Sequence, residues 1–353
     1  MTTTAVGPHP TSVLELLAMS GETARAIAGA DRSAWNGHII ESSSAMLGLA
    51  HWDGTLYLDR ESIVDPLRHL YEHAGARRPT QTLVAYRESL ATLLHEHAHF
   101  LGPEDATQEA AREAFTKLGS RQLEEGVTEA WAQDHLDDFI HRLGIDKVAP
   151  GIDSVRSDGY YAAFVPAIRE LTTDLDTRNG FPPGETLTLL NRQTAAGQFP
   201  LLVDLAYNST RLPDHEPPGA DTRSRLESIL RSGLAHLETY ELSPPDLATT
   251  NSLATANQLL AHLRHETHTA EATYALSPVE ADPCVLPPPV PSRCAPAPHQ
   301  TALSGVAPPT ATPLDHRNPQ QLTDFKTRRP HHANPVHLQN IRSAARSAGG
   351  LAG

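Results

Sequence analysis

The stretch Leu93-Leu94-His95-Glu96-His97-Ala98-His99-Phe100-Leu101 lies in a helical pattern running from about Thr82 to Leu101, which Gly102-Pro103 brings to a stop. Projected at about 100° per residue, Leu83, Tyr86, Leu90, Leu93, Leu94, Phe100 and Leu101 fall on one broad apolar arc, the side a helix lays on a core. His95 and His99 fall on the opposite side between Ala91 and Ala98, whose small side chains leave room beside the two imidazoles. Residues four apart share a helix face, so both rings can reach one Zn²⁺ at about 2.0–2.1 Å. Glu96 sits about 100° round, beside the metal without binding it, where it can take a proton from a water. His97 falls on the apolar arc and reads as a packed or hydrogen-bonded core histidine rather than a ligand.

A second helical pattern, from about Arg121 to Leu143, has Ser120 as its N-cap and is closed by Gly144. Its apolar stripe is Ala132, Leu136, Phe139, Ile140 and Leu143. Carried back by helical steps, that stripe lands on Glu129 and Glu125, so two carboxylates occupy positions the pattern assigns to the interior. A buried carboxylate needs a cation or strong hydrogen bonds. A zinc ion supplies the first and a metal-bound histidine N–H the second. The ordinary alternative is a helix whose first turn carries acids because its N-terminus favours them.

With Glu96 between His95 and His99, followed by Glu124-Glu125-Gly126-Val127-Thr128-Glu129, the sequence resembles the gluzincins, the zinc peptidases that include thermolysin and the zinc aminopeptidases. The resemblance covers about residues 83–143. It implies that His95, His99 and Glu125 hold Zn²⁺, that Glu129 orients His95, and that Glu96 is the general base. It also implies hydrolysis of a peptide bond. By the same resemblance, the strand around Thr55–Asp59 would be the edge strand that pairs with an extended peptide. Three features depart from the family's pattern. Twenty-five residues lie between His99 and Glu125, somewhat more than in its well-known members, and an inserted helix Asp105–Leu118 accounts for the difference. The G-x-M-E-N motif of the aminopeptidases is absent. No motif places the group that would stabilise an oxyanion; Tyr160 and Tyr161 are the candidates, read as two tyrosines on a helix over Asp158–Leu175.

The rest of the chain sets bounds. A net charge of −14 argues against a general nucleic-acid binder and a polybasic membrane anchor. The two cysteines, Cys284 and Cys294, cannot frame a zinc finger. The N-terminus lacks a basic n-region and no stretch is long and apolar enough to span a bilayer, so the expectation is a cytoplasmic protein. Of the 20 histidines, His262, His265 and His268 lie at spacing i, i+3, i+6 and read as a solvated helix face.

The expected fold class is α+β and mostly helical, with a zincin-like core. Short helices at Ser12–Ser20 and Glu22–Ala28 come first. Strands at His38–Glu41 and Thr55–Asp59 follow, then a helix at Ile63–His73. An inserted helix begins at Asp105, with Gln108 as its capping-box partner. Further helices are expected over Glu185–Ala196, Thr222–Tyr240 and Pro245–Thr267. The expected domains are a catalytic lobe over 1–150, a helical lobe over 151–276 and a proline-rich, disordered tail over 277–353 with a partner not specified by the sequence. The expected function is a zinc-dependent peptidase acting on a peptide or protein, without nucleic acid or membrane. The alternatives are a regulatory protein with the same fold that acts on or binds a single partner, and a structural zinc site. A structural site has four protein ligands and no open position.

Overall fold

The computed structural model describes residues 9–43 and 46–276. The expected tail, with Cys284 and Cys294, lies outside the described residues. Helix α1 (Val13–Ala28) is continuous where two short helices were expected. Ser12 caps it by accepting from the Glu15 N–H at 3.2 Å, and Gly29 ends it in a left-handed conformation (φ 63°). Gly21 does not break it, because packing outweighs the roughly 1 kcal/mol cost of a mid-helix glycine.

Two small sheets follow. Strand β1 (Arg32–Ser33) pairs antiparallel with β5 (Leu101–Gly102). Strands β2 (Ile39–Ser42), β3 (Gly48–Ala50) and β4 (Leu56–Asp59) form a sheet in the order β2-β4-β3. β4 runs parallel to β2, with Ile40 opposite Tyr57, and antiparallel to β3, with Leu49 opposite Tyr57. The Thr55–Asp59 strand is therefore central, not an edge, and its Leu56 and Leu58 are fully buried. The edge beside the candidate site is β3, which is too short and rich in small residues to show alternation in the sequence.

A π-turn at Arg60–Val64 leads into α2 (Asp65–Glu72) and then α3 (Thr80–Ala98). Every residue of the expected apolar arc of α3 is buried. Helix α4 (Gln108–Phe115) is capped by Thr107, whose hydroxyl accepts from the Ala110 N–H, rather than by Asp105. Helix α5 (Ser120–Arg142) has Gly119 at its N-cap, so Ser120 is its first residue instead of its cap. After α6 (Ile145–Val148), residues 155–164 form an irregular segment ahead of α7 (Val165–Asn179). The expected helix from Asp158 begins only at Val165, so Tyr160 and Tyr161 stand on a loop. Helices α8 (Glu185–Asn191), α9 (Ala195–Asn208), α10 (Leu212–His215), α11 (Thr222–His236) and α12 (Pro245–Leu276) complete the described residues. Helix α9 was not anticipated, and α12 extends past Thr267.

One cluster of buried apolar side chains runs from Leu16 to Ala270, so both sides of the expected boundary at residue 150 contribute to it. Helix α5 packs on α3 and also on α7. Gly126 permits the second contact: a Cβ there would lie 2.6 Å from Ile168 Cγ1.

His97 is buried on the core side of α3, as its place on the arc requires, with the Ser20 hydroxyl 2.7 Å from its Nε2 and the Trp35 ring set edge-on at 4.9 Å. Burial lowers its pKa to about 3, so the ring is neutral. Nδ1 already lacks a partner. Ser20→Ala would strand both ring nitrogens, and its expected cost is about 1–3 kcal/mol, read as a lowered denaturant midpoint.

Candidate metal centre

Helices α3 and α5 cross so that His95, Glu96 and His99 from one face Glu124, Glu125 and Glu129 from the other. His95 Nδ1 is 2.8 Å from Glu129 Oε2, and His99 Nδ1 is 3.1 Å from Glu124 Oε1. A carboxylate accepts from a ring N–H, so each pairing holds a proton on Nδ1, and in the neutral ring Nε2 is then the lone pair. The two Nε2 atoms are 3.1 Å apart, and Glu125 Oε2 lies 3.4 Å from one and 3.5 Å from the other. Three donor atoms thus converge, with Glu125 Oε2 buried and within 3.5 Å of both Nε2 atoms.

Such a triangle calls for a cation. Ligands about 2.0–2.1 Å from a tetrahedral Zn²⁺ stand about 3.3 Å from one another, close to the spacing seen here. The donor set, two imidazoles and a carboxylate, also suits zinc. Among the described residues, His95, His99 and Glu125 are the group whose geometry could hold a metal ion. Without one, protons are drawn to the same place. Burial lowers the His95 pKa, yet hydrogen bonds to Glu125 and Glu129 outweigh it and raise the value to about 9. His99 is likewise raised, against its burial, by Glu124 and Glu125. Burial acts to raise Glu125, but the two histidines hold it well below the usual carboxylate range.

Glu96 is buried beside this triangle and is not part of it. Burial pushes its carboxyl upward, with His95 and His99 opposing. The Ala50 N–H donates to its Oε2 at 2.7 Å. Glu129 also accepts from the Gln133 side chain and the Tyr160 N–H, both at 2.8 Å.

The two tyrosines differ. Tyr160 reaches the centre through its backbone N–H. Tyr161 reaches it through its ring, stacked on His95 at 5.7 Å with 12° between planes. Its φ of 56° is the only positive value outside glycine among the described residues, a conformation that costs energy and is held by its surroundings. Burial, followed by the charges of Glu125 and Glu96, raises its phenol well above the ordinary value, so the hydroxyl keeps its proton.

A cavity of about 390 Å³ opens on this centre, with Leu47, Gly48, His95, Glu96, Tyr161 and Phe164 among its lining residues. Glu241, just ahead of α12, and Asp246, in its first turn, also line it. Arg121, one turn before Glu125, is paired with Glu241 and lies 5.6 Å from the Phe164 ring centre. The expected solvated face at His262, His265 and His268 is exposed.

Glu124, Arg121, Glu241 and β3 did not emerge from the sequence as site residues. Glu124 stands next to Glu125, and the signal was there to be read: on α5 it is turned about 100° from Glu125, toward the second histidine. Glu124→Gln and Glu129→Gln are each expected to weaken zinc binding by about 10–100-fold, because the imidazole behind each loses its anionic anchor. Competition with a chromogenic chelator measures this.

Comparison of the sequence with protein-family models and with curated proteins returns no match, and comparison with solved structures returns none either. No helix among the described residues is long and apolar enough to cross a membrane.

Proposed function

We propose that this chain is a zinc-dependent hydrolase with a zincin-like core, acting on peptide bonds. The observation that carries the reading is the convergence of His95, His99 and Glu125 donor atoms within 3.1–3.5 Å of one another, with a carboxylate behind each imidazole. These three residues would hold the ion. Bound zinc lowers the pKa of a water to about 7 and polarises a carbonyl. A structural site would have a fourth protein ligand, whereas here the group of three donors reaches a cavity that His95 and the neighbouring Glu96 line.

Glu96 takes the water's proton and later gives it to the leaving amine. Its burial supports this, since a base with a raised pKa works nearer neutrality. Tyr161, kept protonated and stacked on His95, is placed to donate a hydrogen bond to the carbonyl oxygen as charge grows there. Tyr160 acts through its backbone, helping to hold Glu129 and thereby His95. The substrate lies between β3 and the 158–164 segment, where Leu47, just before β3, and Ala162 and Phe164 favour apolar side chains around the bond that is cut.

The test is to purify the protein, determine its zinc content and follow a mixture of unrelated peptides by mass spectrometry. About one zinc per chain with chelator-sensitive cleavage is expected. No zinc after reconstitution would overturn the reading. Zinc without cleavage would favour the form of this fold that acts on or binds a single partner.

A further inference from the structure

The short strand β3 meets Glu96 twice. In an antiparallel ladder successive residues turn their polar groups alternately to the partner strand and away from it. Along β3 and the residues flanking it, those turned to β4 are Leu47, whose C=O accepts from the Asp59 N–H, Leu49, opposite Tyr57, and His51, whose N–H donates to the Thr55 carbonyl. The N–H and C=O groups of Gly48 and Ala50 therefore face the other way, toward α3. The Ala50 N–H is the one that reaches Glu96 Oε2, at 2.7 Å. At Gly48 a Cβ would lie 2.5 Å from Glu96 Cγ and Oε1 and 2.7 Å from Cδ, closer than such atoms approach. Gly48 is not among the glycines with positive φ, so its backbone conformation does not require glycine. What requires it is the space that Glu96 occupies.

We propose that β3 is the positioning element for the general base: the Ala50 N–H pins the Glu96 carboxylate, and Gly48, lacking a side chain, forms the notch that holds it. This rests on the reading of Glu96 as the base. Left free, a glutamate at this place has several rotamers, and only some present an oxygen to a water over the donor triangle. One charge-assisted hydrogen bond from a fixed backbone selects among them before substrate arrives. Gly48 and Ala50 are positioning residues, acting through Glu96. A side chain at 48 would meet the Glu96 carboxylate first and displace it.

The experiment compares wild type, Gly48→Ala and Ala50→Pro, each also in a Glu96→Ala background. Proline is tolerated on an edge strand where its N–H would face away from the ladder, so Ala50→Pro removes the donor and leaves the bonds of Leu49 and His51 in place. Zinc content is expected to be the same throughout. On a peptide that the wild type cleaves, kcat should fall about 10-fold or more in both single variants with KM little changed, the pattern of a misplaced base. The activity-independent readout is thermal stability. Each substitution should lower Tm by about 2–4 °C more when Glu96 is present than in the Glu96→Ala protein. Equal losses in the two backgrounds, or wild-type kcat in Gly48→Ala, would overturn the proposal. Should the wild type bind zinc and cleave nothing, the peptidase reading fails while the Tm comparison still decides whether β3 holds Glu96.

Discussion

Glu125→Ala is expected to reduce bound zinc from about one per chain to under about a tenth after dialysis against a weak chelator, with His99→Ala doing the same. Two imidazoles four residues apart on a helix make a weak site alone; Glu125 Oε2 is the third point of the triangle and its only charged donor. The loss should also appear as stability. A ligand that binds only the folded state stabilises it by about 2.7 kcal/mol at a hundred times its Kd. Zinc should therefore raise the Tm of the wild type and leave that of Glu125→Ala unmoved. Equal zinc in the two proteins would move the third ligand elsewhere. Glu129 is the nearest alternative, and His95 would then have to give up the 2.8 Å hydrogen bond that now sets its tautomer.

Glu96→Gln should give the complementary result: full zinc and a loss of hydrolysis of about 10²–10⁴-fold, borne by kcat. Glutamine keeps the length of the side chain, and its carbonyl oxygen can still accept from the Ala50 N–H. It cannot take up a proton from water at neutral pH. Side-by-side determination of zinc content and peptide cleavage checks this. Activity within a few-fold of wild type would remove Glu96 from the reaction and leave the donor triangle with a different role.

The separation between these two variants follows from which helix face each residue occupies, and that was legible in the sequence. The HExxH spacing and the arc from Leu83 to Leu101 placed both histidines on one side of α3 and His97 on the other. The stripe of α5 ran into Glu129 and Glu125, and both prove to be buried. A helix with 3.6 residues per turn writes its faces into its sequence, so a buried charge stands out against the apolar period. The mostly helical composition with a small sheet was legible for the same reason.

What the sequence left open is what depends on contacts between distant segments. The short edge β3 carries no alternation, and Leu56–Asp59 looks the same whether central or at an edge, because position in a sheet belongs to the pairing of strands and not to any one of them. Tyr161 turns its ring onto His95 because the loop before α7 is held in a strained conformation that no local preference would choose. The pairing of Arg121 with Glu241 spans 120 residues. The sequence by itself determined which helix faces carry the donors, because helical period is local. Only the tertiary structure decided that the donors meet within 3.1–3.5 Å, and that a glycine and a backbone N–H from a three-residue strand lie against Glu96, because those distances are set by packing across the core.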